Sequence, residues 1–69
     1  MDAYIIEKTI DLGNGLGMPI YQVDYCAVYG NGYDSGSIWR TFGLYEHKEV
    51  AEYVMQGINN GDIQPVRKA

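Results

Sequence analysis

From Ala3 to Leu12 the chain alternates. Tyr4, Ile6, Ile10 and Leu12 share one parity, and Glu7, Thr9 and Asp11 hold the other, with Lys8 the exception on the apolar side. A repeat of two is that of a strand with one face buried, so a first strand is expected here. Gly13-Asn14-Gly15-Leu16-Gly17 follows, a run rich in residues that accept positive φ, and it reads as a hairpin loop. A second strand is expected from Met18 to Tyr29, with Tyr21, Val23, Tyr25, Ala27 and Tyr29 on its apolar side and Gln22, Asp24 and Cys26 opposite. Pro19 has no amide proton to give a ladder and fits only at the start of that strand.

Gly30-Asn31-Gly32-Tyr33-Asp34-Ser35-Gly36 is turn chemistry throughout, long enough for a loop that projects beyond the sheet. Strand three is expected from Ser37 to Leu44. Trp39 and Tyr45 fall on one of its parities and Ile38, Phe42 and Leu44 on the other, so both faces read as apolar. Val50, Ala51, Val54 and Ile58 then recur at helical spacing, flanked by Tyr53 and Met55 and opposed by Lys48, Glu49, Glu52 and Gln56. His47 or Glu46 stands at the cap position, and Asn59-Asn60-Gly61 is a left-handed stop. Ile63-Gln64-Pro65-Val66 leaves room for a short edge strand before the basic Arg67-Lys68. The expected fold is a single α+β domain over residues 1–69, a three-stranded antiparallel sheet with one helix packed on one face, in the order β-β-β-α. One helix covers one face, so the second face is capped by the chain ends or offered to a partner.

Length makes that second face matter. A chain of 69 residues has a thin core, and domains below roughly 70–80 residues usually need a disulfide, a metal, oligomerisation or very good packing. Cys26 is the only cysteine and His47 the only histidine, so neither an internal disulfide nor a four-ligand zinc site is available. Seven tyrosines with Trp39 and Phe42 favour packing and also suit protein interfaces. No apolar run approaches the roughly 20 residues of a membrane span, and the start is acidic where a secretory signal is basic. A cytoplasmic protein is expected, in keeping with an unpaired thiol. The net charge of −4 repels phosphate backbones and disfavours direct nucleic-acid binding; it steers the chain towards a basic protein surface instead.

Candidate chemistry changes this picture little. The glycines at 13, 15 and 17 lack the further glycine of a dinucleotide fingerprint, and they lead into a strand rather than a helix N-terminus. The Asn31–Gly36 loop lacks the acid-rich start and terminal bidentate Glu of a calcium loop, but tipped by Tyr33 and Asp34 it can serve as an interaction finger. His47 has no partner to orient it for acid–base work, and Cys26 has no neighbouring cation to make it a thiolate. No catalytic, cofactor or metal residue is therefore expected. Glu46, Glu49 and Glu52 recur every three residues, a spacing expected to line one side of the first helical turns, and with Asp34 they compose a candidate anionic patch.

The run Tyr45-Glu46-His47-Lys48-Glu49-Val50-Ala51-Glu52-Tyr53-Val54, following three strands, resembles the strand-to-helix junction of the three-stranded-sheet domains at the start of phage integrases. In those domains an aromatic residue ends the sheet and a helix alanine packs over it, positions matched by Tyr45 and Ala51. The resemblance implies the same fold and a sheet laid in a DNA major groove; those sheets carry many Lys and Arg, where the strands here offer Lys8 and Arg40. In size and charge the chain also resembles the small, acidic, aromatic-rich proteins of phages and mobile elements, anti-CRISPR inhibitors among them. That likeness implies a non-enzymatic protein that evades host defence by covering a site on a defence complex or imitating the charge of the nucleic acid that complex binds, and so blocks a basic, nucleic-acid-binding surface. Tyr33, Asp34, Phe42, Glu46, Glu49 and Glu52 are the expected contact residues. The competing expectations are a homodimeric or accessory subunit whose second face, with Ile38, Phe42 and Leu44, is buried in an assembly, and a sheet-mediated DNA-binding domain.

Overall fold

The computed structural model describes residues 2–29 and 36–65. Three strands, β1 (Ala3–Gly13), β2 (Leu16–Tyr29) and β3 (Gly36–Tyr45), form one antiparallel sheet in the order β1-β2-β3, and helix α1 (Lys48–Asn60) packs on it. This is the α+β fold that the alternation predicts. The expected edge strand after the helix does not form over residues 63–65, and Val66 lies outside the described residues.

The first hairpin closes through Asn14 and Gly15 alone, both at positive φ (54° and 75°). A two-residue turn with both central residues left-handed matches the right-handed twist of the flanking strands. The Asp11 carboxylate accepts the Gly13 amide at 2.8 Å and fixes the approach to the turn.

Which face is buried follows from register. Ala3 pairs with Tyr25 and Ile5 with Val23, and directly opposed residues of an antiparallel pair project on the same side. Ala3, Val23, Tyr25 and Ala27 are buried against Ala51, Val54 and Ile58 of α1, with Ile5, Tyr21, Tyr45, Met55 and Ile63 packed around them. The helix thus docks on the apolar parity of β2, and pairing brings the minor parity of β1 with it. This corrects the expectation that Tyr4, Ile6, Ile10 and Leu12 form the buried side of the first strand, for Tyr4 is 56% exposed and the other three are exposed as well.

Strand three departs from simple alternation for a different reason. Val23 pairs with Gly43 but Asp24 pairs with Thr41, which leaves Phe42 as the extra residue of a β-bulge. Alternation restarts there. Trp39 and Leu44 therefore share the face away from the helix, through their partners Cys26 and Gln22, while Ile38 and Tyr45 share the helix side through Ala27 and Tyr21. The expected grouping of Ile38, Phe42 and Leu44 on one face is corrected accordingly. Gly43 sits beneath the Tyr45 ring, whose atoms occupy the space a β-carbon would take.

Helix α1 is held at both ends. His47 is its extended N-cap, contributing its carbonyl to the Ala51 amide at 3.2 Å and no side-chain capping bond. Gly61, at φ 87°, ends it by donating to the Ile58 carbonyl, and Ile63 returns to the Gly57 carbonyl at 2.9 Å. Gly57 faces that return; a β-carbon there would meet the Ile63 side chain. The buried stripe is Ala51, Val54, Gly57 and Ile58, while Val50 is exposed, so the helix is rotated by about one residue from the stripe its apolar residues suggest.

Asn59 ties the helix end to the sheet edge. Its Oδ1 accepts the Ala3 amide at 2.7 Å and its Nδ2 donates to the Ala3 carbonyl at 3.3 Å, so the side-chain amide pairs with edge-strand backbone as a further strand would. Ala3 is buried. Replacing Asn59 with Ala orphans a buried amide and is expected to cost about 1–3 kcal/mol. Asn59→Asp, which keeps the acceptor and loses the donor, should cost less, and urea unfolding of both variants checks the order.

Candidate functional site

The helix covers only one end of the long β1–β2 hairpin. Beyond Glu7 and Tyr21 the two strands continue to the Asn14-Gly15 turn as an arm, and the molecule measures 51 × 24 × 17 Å with a radius of gyration of 14.7 Å. A compact domain of this length would have about 11 Å. A two-stranded ribbon is marginal in water on its own, so an arm this long calls for support along a face.

The face away from the helix offers a place for it. Tyr4, Ile6 and Ile10 from β1, Val28 from β2, and Trp39 and Leu44 from β3 project there and remain exposed. Tyr4 and Trp39 stack across the sheet with ring centroids 5.3 Å apart. In the middle lies a small polar cluster: Gln22 Nε2 donates to Asp24 Oδ1 at 2.7 Å and to Thr41 Oγ1 at 3.2 Å, and Thr41 Oγ1 donates to Asp24 Oδ1 at 2.8 Å. These bonds tie the cluster together through the Gln22 amide nitrogen, the Thr41 hydroxyl and one carboxylate oxygen of Asp24. Ile20, on the same parity, is buried apart from the helix-side core. Among the described residues the charges on this face are Lys8, Asp24 and, at its far end opposite Cys26, Asp2.

The glutamates expected as contacts lie elsewhere. Glu49 is exposed on the first turn of α1 and Glu52 follows it one turn on, half-buried, while Glu46 precedes the N-cap and is outside the helix. The three glutamates therefore do not form one helical row, because the helix begins two residues after Glu46. Phe42 sits on the helix side, edge-on to Tyr25 at 6.4 Å between ring centroids. Tyr33 and Asp34 lie outside the described residues. Sequence reasoning missed Tyr4, Ile6, Ile10 and Trp39 as surface residues; the signal was present as a second apolar parity on β1 and β3, one that strand alternation alone assigns to burial.

Chemistry-bearing groups are dispersed. His47 is exposed and Cys26 is a half-buried free thiol on the outer face. Among the described residues, no group of three or more His, Cys, Asp or Glu is placed to hold a metal ion. A shallow depression of about 400 Å³ at the helix C-terminus is lined by Ile58, Asn59, Asn60, Gly61, Ile63, Gln64 and Pro65, none of which titrates near neutral pH. Among the described residues no helix is long and apolar enough to cross a membrane. Comparison with family models, curated proteins and solved structures found no match.

Proposed function

We propose that this protein is a non-enzymatic protein-binding module whose working surface is the outer face of its sheet. One observation carries the reading: Tyr4, Ile6, Ile10, Trp39 and Leu44 stay exposed together on a face that the fold leaves uncovered among the described residues. Apolar side chains gathered on one exposed face mark interaction sites, and the Tyr4–Trp39 pair beside the polar middle supplies the aromatic composition of a binding hot spot.

The distribution of charge favours a second surface for modulating a larger partner. Glu7, Glu46, Glu49 and Glu52 lie on the helix side or at the helix entry, away from the sparsely charged outer face. A basic protein surface, such as that of a nucleic-acid-handling complex, has the complementary chemistry, and blocking it accounts for an acidic protein without catalytic groups. DNA binding through the sheet is the weaker reading: Lys8 is the one cation of the outer face among the described residues, and Arg40, paired with Tyr25, is on the helix side.

A two-armed capture experiment separates the surfaces. Tagged Trp39→Asp should lose at least tenfold in association with any chain bound by the outer face while keeping its circular dichroism, since Trp39 is 53% exposed. A Glu46→Lys, Glu49→Lys, Glu52→Lys triple variant should lose nuclease-resistant, salt-sensitive basic partners. Unchanged binding by the Trp39 variant removes the outer face as the working surface, and unchanged binding by the triple variant removes the electrostatic one.

A further inference from the structure

We infer that the outer face is covered by a second copy of this chain, the two sheets packing face to face about a two-fold axis that crosses the strands at the Ile6–Gln22–Leu44 row. The inference rests on the reading of that face as a binding surface and names its occupant.

Four observations support a second copy. The first is dependence: among the described residues eight apolar side chains are buried, three of them alanine and one, Ile20, on the outer face itself, and Val23 and Ile58 are the two that are both large and fully enclosed. So thin a core calls for a cover that is always present, and a second copy is one. The second is area. Tyr4, Ile6, Ile10, Val28, Trp39 and Leu44 are between 40% and 77% exposed. With about 150–250 Å² for each aromatic side chain they leave roughly 700 Å² accessible, near the 800 Å² or so that each partner contributes to a stable interface.

The third is charge. A −4 chain meets its own copy with least repulsion through a sparsely charged surface, and among the described residues this face carries Lys8, Asp24 and, at its far end opposite Cys26, Asp2, which the same axis sets over the uncharged Ile10–Met18 row. Lys8 belongs to the row two residues to one side of Gln22 and Asp24 to the row two residues to the other. A two-fold axis at Gln22 exchanges those rows, bringing Lys8 of each copy over the Tyr4–Asp24 pair of the other, twice. The fourth is shape. The arm continues past the end of β3, leaving a step beside Met18, and the same axis sets the Trp39 row of one copy against the Met18 row of the other. Each arm is then supported by its partner, as aligned sheet packing requires.

The geometry is tested on the full chain. Sedimentation should give twice the 7.8 kDa chain mass, and Lys8→Glu, which places like charges together twice at an exposed position, should weaken the dimer at least tenfold. Met18→Cys lies across from the native Cys26 of the second copy, so a short bis-maleimide should convert that variant to a covalent dimer with no higher ladder. Wild type should not cross-link, because its two Cys26 positions stand eight residues apart along the strands, about 27 Å; Met18→Cys with Cys26→Ser should not either. A strict monomer at millimolar concentration overturns the inference but leaves the binding-surface reading standing if Trp39→Asp still abolishes capture of another chain. A dimer indifferent to Lys8→Glu and not cross-linked through Met18→Cys overturns the two-fold arrangement.

Discussion

Ile58→Ala is expected to unfold much of the population at room temperature. Ile58 is 1% exposed and, with Val23, one of the two large side chains wholly enclosed among the described residues. Truncating a buried isoleucine costs about 2–5 kcal/mol, the transfer energy of the lost methyl groups plus the cavity they leave. The upper part of that range applies, because the site has little freedom to collapse: Gly61 closes the helix on the Ile58 carbonyl, and Asn59 pins the same turn to Ala3. A domain of this length has a total stability of about 3–10 kcal/mol, so the loss is comparable to the whole. Urea denaturation at one fixed protein concentration is the measurement, since association through the outer face would otherwise raise apparent stability by mass action. Val50→Ala, on the same helix but exposed, should change the midpoint by no more than about 0.5 kcal/mol. Equal effects at the two positions would mean that the helix docks on the face its sequence stripe suggests rather than the one seen.

That contrast locates the limit of sequence reasoning for this chain. Periodicity and turn chemistry identify all three strands and the helix, with ends within about two residues, because those signals are local. Helix termination at Asn60 and Gly61 follows from backbone freedom at one position. The choice of buried face is not local. β1 has two candidate faces, one with Tyr4, Ile6, Ile10 and Leu12 and a poorer one with Ala3 and Ile5, and the poorer one enters the core because β2, paired to it, offers Val23 and Tyr25 to the helix. The bulge at Phe42 is invisible to a count of alternating residues, yet it exchanges the faces of every position beyond it. Asn59 reads as part of a stop signal, and its bonds to Ala3, 56 residues earlier, exist only once the fold is made. For the site, the expectation of an uncovered sheet face was legible in the count of elements, one helix for two faces, whereas its membership depends on register and bulge.

Phe42 shows how these corrections change an experiment. As an expected contact residue it should affect association; placed on the helix side and edge-on to Tyr25, it should affect stability instead. Tyr25 is buried in the core cluster, and Tyr25→Ala is expected to cost about 3–5 kcal/mol, as removal of a core aromatic does. Phe42→Ala should cost less, because Phe42 is 39% exposed, and the double variant should lose less than the sum of the two. The shortfall measures the edge-to-face pair and is expected at about 0.5–1.5 kcal/mol. Contacting residues show such coupling, while distant ones add within about 0.3–0.5 kcal/mol. Trp39→Ala serves as the comparison, since its ring stacks on Tyr4 across the opposite face; paired with Tyr25→Ala it should be additive in stability and should weaken association where Phe42→Ala does not. Coupling between Tyr25 and Trp39, or a loss of association on removing Phe42, would place the bulge one residue away and return Phe42 to the binding face.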